Sequence, residues 1–122
     1  MDERKRRGDR GEAAVADYLR NRRYRLLASQ YRCRFGEIDL IARSPEGILC
    51  FVEVKTRSDD DFARALESVT PAKQKRLRTA AQLYLVQTGL DCSCRFDVAE
   101  VYPDPDTGWE RPRINYIIEA FY

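Results

Sequence analysis

Two short apolar runs, Gly36 to Arg43 and Ile48 to Arg57, flank the turn signal Ser44-Pro45-Glu46-Gly47 and constrain the fold more than any other stretch. Runs of this kind joined by such a turn predict a β-hairpin. Successive side chains of a strand point to opposite faces. With that period, Ile38, Leu40, Ala42, Ile48, Cys50, Val52 and Val54 share one face, all apolar. Glu37, Asp39, Ile41, Leu49, Phe51, Glu53 and Lys55 share the other, which is apolar near the turn and charged at the far end. If Arg43 pairs with Leu49, Asp39 lies opposite Glu53 and Glu37 opposite Lys55, with facing Cβ atoms roughly 5 Å apart. A slip of one residue would send Asp39 and Glu53 to opposite faces. The first register is expected, because only it unites the apolar faces.

Two carboxylates that close repel each other unless a cation or proton sits between them. A hard divalent ion, Mg2+ or Mn2+, suits such a pair, since these ions prefer oxygen ligands. Lys55, on the same face as Glu53, is placed to act on a water beside the ion. Cross-strand ion pairs on a solvated face are the plainer alternative, worth a few tenths of a kcal/mol each.

An acidic residue at the start of a hairpin followed by E-x-K on its second strand resembles the P-D-(D/E)-x-K nuclease superfamily, with Asp39, Glu53 and Lys55 matching. Ile38 stands where that motif often has proline, and a Q-x-x-x-Y element found in some branches is missing. The order of five blocks is more specific. These are G-x-x-G-E-x-x-A at Gly8 to Ala14, G-E-I-D-L-I-A, F-V-E-V-K-T-R, a later K-x-x-x-L-x-x-A-A-x-x-Y-L, and R-F-D-V at Arg95 to Val98. Together they resemble the YraN-like family of small bacterial proteins, relatives of archaeal Holliday-junction resolvases, over roughly residues 8 to 102. The resemblance implies a restriction-endonuclease-like α/β fold and a DNA endonuclease acting on branched or structured DNA. It implies Asp39, Glu53 and the Val54 backbone carbonyl as metal ligands, Lys55 as the water-orienting group, and Glu12 as a supporting member of the site. A catalytically inactive nucleic-acid-binding or protein-interaction module on the same fold is the alternative.

The chain has no histidine, so Ser-His-Asp and Cys-His hydrolases and histidine-ligated metals are excluded. Chemistry here must use carboxylates, lysine, arginine or tyrosine. Cys33, Cys50, Cys92 and Cys94 form no zinc pattern and are expected to be reduced. No run approaches the roughly eighteen apolar residues of a membrane span, and no apolar signal segment follows the charged start, so a cytoplasmic location without membrane attachment is expected. At 122 residues, 43% of them hydrophobic, one domain is expected, burying about two-thirds of its unfolded surface.

Residues 1–7 read as a flexible basic arm. A helix is expected to open at Asp9, with Glu12 at capping-box spacing and Ala14, Val15, Tyr18 and Leu19 on its apolar stripe. Tyr24 to Ala28 reads as a first strand. After the hairpin come the acidic stretch Asp59 to Asp61 and a short helix or turn over Phe62 to Val69. Thr70-Pro71 opens a long helix ending near Gly89, with Lys73 one turn before Leu77 on its stripe. Arg95 to Tyr102 reads as a strand, 103–113 as a proline-rich loop, and Ile114 to Phe121 as a last strand that covers a sheet edge or pairs with a second copy in a homodimer. The predicted order is α-β-β-β-α-β-β around a mixed sheet. Net charge is only +2, yet basic residues cluster. Arg7, Arg10, Arg32, Arg34, Arg57, Lys73 and Arg76 are the candidate contacts to nucleic-acid phosphates. A solubilising role fits the same residues nearly as well.

Overall fold

The computed structural model describes residues 3–57 and 69–122, with side chains from residue 8 onward. The order is α1 (Glu3–Asn21), β1 (Arg25–Cys33), β2 (Gly36–Arg43), β3 (Leu49–Thr56), α2 (Pro71–Thr88), β4 (Cys94–Asp104) and β5 (Gly108–Phe121). This is the expected α-β-β-β-α-β-β arrangement. The strands form one mixed sheet in sequence order, antiparallel throughout except between β3 and β4. That parallel pair requires a long crossover, which α2 supplies. The expected helix or turn over 62–69 lies outside the described residues except for Val69, and so does the acidic stretch Asp59 to Asp61.

The hairpin takes the expected register, with Arg43 opposite Leu49 and Leu40 opposite Val52. Ser44 anchors the turn: its N–H donates to the Ile48 carbonyl at 2.8 Å, and its hydroxyl accepts the Ile48 N–H at 3.0 Å. Gly47 sits at φ 88°, a conformation that glycine adopts without a Cβ clash.

Both faces of the sheet are covered, which explains why the hairpin is apolar on two sides near its turn. Val15 and Leu19 of α1 pack with Leu40, Ala42, Cys50, Val52, Ala99 and Val101 of the sheet. Leu77, Ala80 and Tyr84 of α2 pack with Ile41, Leu49, Phe51 and Val98. Ile38 joins this second group rather than the side of Leu40 and Ala42 that strict alternation assigns it. Alternation fails there because Gln30, on the neighbouring strand, adopts a left-handed φ of 51°, and Asp39 turns its side chain toward the backbone of β3.

Three boundaries depart from expectation. The first helix begins at Glu3, so the basic run Arg4 to Arg7 continues it, and Asp9 is an interior residue rather than an N-cap. Glu, Arg and Lys are good helix formers and extend a helix that packing has already nucleated. The first strand runs to Cys33, beyond Ala28. Most of the expected 103–113 loop is paired strand. The true turn is Pro105 to Thr107, where Asp104 Oδ1 accepts the N–H groups of Asp106 and Thr107 at 2.8 and 2.9 Å. β5 is an edge strand, where Pro112 is tolerated because its missing N–H need not serve a second neighbour. The second helix has the expected caps: Thr70 Oγ1 accepts the Lys73 N–H at 3.2 Å, and Gly89 ends it at φ 70°. Asp97 holds both Arg95 and a backbone amide. It accepts from Arg95 Nε through both oxygens at 3.1 Å, from the Tyr116 hydroxyl at 2.6 Å and from the Glu119 N–H at 3.0 Å. All four cysteines are free thiols. No helix among the described residues is long and apolar enough to cross a membrane.

α1 passes close to β3 at Gly11, where any Cβ would overlap Thr56 Oγ1 and touch Val54 Cγ1 at 3.6 Å. Gly11→Ala should therefore lower stability by roughly 1–3 kcal/mol of overpacking, less the ~1 kcal/mol that alanine gains in a helix. Denaturant midpoints check this, and Thr56→Ala in the same chain should recover most of the loss.

Candidate metal centre

The hairpin ladder ends early. Regular pairs run from Arg43/Leu49 to Leu40/Val52, and at the next step the Val54 N–H donates to Asp39 Oδ2 at 2.8 Å. A side chain has replaced a strand carbonyl, so β2 and β3 separate beyond this point. The gap opens into a cleft of about 590 Å3 whose lining includes Glu37, Asp39, Glu53, Lys73 and Arg76. The expected facing of Glu37 and Lys55 does not form, because no regular ladder continues that far; Glu37 instead pairs with Arg32 Nε at 3.6 Å.

Glu12, which lines a second cavity between α1 and β1, comes up to Glu37 and Asp39 from α1. Gln30 Nε2 on β1 holds two acids of that helix, donating to Glu12 Oε2 at 2.8 Å and to Asp9 Oδ1 at 3.2 Å. Glu12, Glu37 and Asp39 each present an oxygen within 4.8 Å of the others. Burial, aided by the charge of Glu53, pushes the Asp39 carboxyl up to about 8 against the favourable Val54 N–H contact. Burial also raises Glu12, opposed by its Gln30 hydrogen bond. The acids favour a proton here because negative charge is crowded away from water.

Glu53 is buried on β3. Its Oε1 accepts Lys73 Nζ at 2.6 Å and Lys55 Nζ at 3.2 Å, while its Oε2 is buried with no hydrogen-bond partner among the described residues. Burial pulls the Lys55 ammonium below its ordinary range, and the neighbouring Lys73 pulls it further. Lys73 also suffers burial, but its contact with Glu53 outweighs this and raises it overall. An orphaned buried carboxylate oxygen costs on the order of 1–3 kcal/mol or more. That orphan and an oxygen-only donor set are chemically compatible with a hard divalent cation.

Of the expected quartet, Asp39 and Glu53 line one cleft, Lys55 reaches Glu53, and Glu12 meets Asp39 together with Glu37, which the sequence reading had not placed among the ligands. Val54 contributes its N–H to Asp39. Among the basic candidates, Lys73 and Arg76 line the cleft, and Arg32 borders it through Glu37. Arg34 lies over the Phe35 ring at 4.9 Å, and Arg10 is exposed on α1. The Arg57 N–H donates to the Val101 carbonyl at the end of β3, and the Arg7 side chain lies outside the described ones. Two roles escaped the sequence reading. Gln30 carried no signal, since its left-handed backbone breaks the alternation that would place it. Lys73 carried one, because it shares the stripe of Leu77 and so had to face the sheet.

Residues 11–101, a span holding every member of this site, match the model of the uncharacterised protein family UPF0102. The chain belongs to the UPF0102 family. It is 47% identical over 116 residues to a UPF0102 protein of Symbiobacterium thermophilum, covering 94% of this chain and 95% of that protein. A UPF0102 protein of Moorella thermoacetica is 49% identical over 102 residues, covering 83% and 84% of the two chains. One of Chlorobium chlorochromatii is 49% identical over 94 residues, covering 77% and 72%. The UPF0102 match runs from Gly11 within α1 to Val101, before β5, so the segment that matches carries the later half of α1, all of α2, β1 to β3 and most of β4.

Proposed function

We propose that this UPF0102 chain is a divalent-metal-dependent nuclease that hydrolyses phosphodiester bonds in DNA. The meeting of Asp39, Glu53 and Lys55 at the open end of the hairpin, with Glu53 Oε2 unsatisfied, carries this reading. The likeness to P-D-(D/E)-x-K nucleases supports it, and branched DNA as substrate rests on that likeness alone. Asp39, Glu53 and the Val54 carbonyl would hold Mg2+ or Mn2+, with Glu12 in support or at a second ion. The ion would supply Lewis-acid charge at the scissile phosphate. Lys55 orients the attacking water and stabilises the negative charge that develops on the phosphoryl oxygens. Arg76, exposed at the rim, meets the phosphate backbone.

One observation favours a second reading, a binding module without chemistry: Glu53 already has two ammonium partners. Cleavage of linear and four-way-junction DNA by the parent and Glu53→Gln, with Mn2+, separates the two. The nuclease reading expects metal-dependent cleavage by the parent and about 10²-fold or greater loss in the variant. Salt-dependent DNA binding with no cleavage on either substrate would favour the module.

A further inference from the structure

Lys73 stands out from the other basic residues of the cleft. It comes from the first turn of α2, a different element from Lys55, yet it makes the shorter contact to the same oxygen of Glu53, 2.6 Å against 3.2 Å. Glu53 is almost wholly enclosed, with 7% of its side chain exposed, while Lys73 keeps 34% exposure and so retains a route to solvent. Lysine is a flexible four-carbon stem ending in a compact charge, well suited to change partners without backbone movement. Arg76 is exposed one helical turn further along α2 and lines the same cleft.

We propose that Lys73 is a tethered cation that holds Glu53 until a divalent ion takes its place, and that the displaced ammonium then binds a phosphate oxygen of the substrate. The inference rests on the metal-centre reading above. Glu53 Oε1 already carries two ammonium groups, so a divalent ion on this carboxylate would be a third cation at contact distance, and the repulsion falls on Lys73, the more exposed of the two lysines. Lys55 stays in place throughout, because it lies on the same strand as Glu53 and is more enclosed, at 17% exposure. Exchange explains how a buried acid remains compensated before the ion arrives. It also couples the two binding events: loading the metal releases the group that grips DNA, so each ligand favours the other.

The test is Lys73→Met, which keeps the length and apolar stem. Mn2+ binding is measured by calorimetry without nucleic acid, and duplex binding is measured with Mn2+ in a Lys55→Ala background, where cleavage is suppressed. The proposal expects Mn2+ affinity to rise about tenfold while duplex affinity falls several-fold, with the salt slope reduced by about one. A purely structural ion pair would leave Mn2+ affinity unchanged or weakened alongside a lower Tm, and that result overturns the exchange while leaving the metal centre intact. No Mn2+ binding by the parent overturns the metal centre and the exchange together.

Discussion

Asp39→Asn should be more stable than the parent when no divalent ion is present, and the gain should grow with pH. In the folded chain the Asp39 carboxyl is pushed from its ordinary 3.8 up to about 8, chiefly by burial and then by Glu53. The folded state therefore binds a proton that the unfolded state has released, and stability falls as pH rises between those values. Asparagine stays neutral, can still accept the Val54 N–H and can donate to Glu12. Urea unfolding should show near-equality at pH 4 and an advantage of roughly 2–5 kcal/mol for Asn at pH 8. Mn2+ should reverse the order: at a hundredfold excess over Kd it stabilises the parent by about 2.7 kcal/mol and the variant hardly at all. A variant that loses stability at pH 8 without metal would show that Asp39 is held by structural contacts rather than kept ready for a cation.

Lys55→Ala should lose cleavage by about 10²–10⁴-fold while still binding Mn2+. The ammonium is not among the oxygen ligands, so its removal leaves the donor set whole, and Glu53 keeps Lys73 until the ion arrives. Lys55→Arg should recover little, because a planar guanidinium does not fit the space of a compact ammonium with 17% exposure. Single-turnover cleavage together with calorimetry checks both halves. Activity that survives the loss of Lys55 would dismiss the proposed site.

The hairpin and its register were legible because a buried face punishes any slip, and the period of two is unambiguous when both runs are apolar. The caps of α2 were legible for a similar reason, since Thr70, Pro71 and Gly89 each answer a local backbone demand. Ile38 was misplaced because Asp39 and Gln30 disturb the sheet locally, and that disturbance depends on β3 and α1 together. The last hairpin was read as a loop because Pro103, Pro105 and Pro112 resemble breakers, although an edge position removes the objection to Pro112. The nearness of Asp39, Glu53 and Lys55 followed from register and period, while reading them as a metal site leaned on the resemblance to P-D-(D/E)-x-K nucleases. The second ammonium on Glu53 was not assigned, since nothing local to Lys73 shows how near α2 lies to the open end of the hairpin.

The early end of the β2/β3 ladder has a bearing on when this centre comes into being. Asp39 and Glu53 are neighbours as soon as the hairpin closes, but Glu12 and Lys73 arrive only with the helices, which pack on opposite faces of the sheet. An incomplete or damaged copy would thus possess the acids without the enclosure that concentrates their charge. On the proposed reading such a copy would be inert toward nucleic acid, which makes integrity of the whole domain a safeguard against stray hydrolysis.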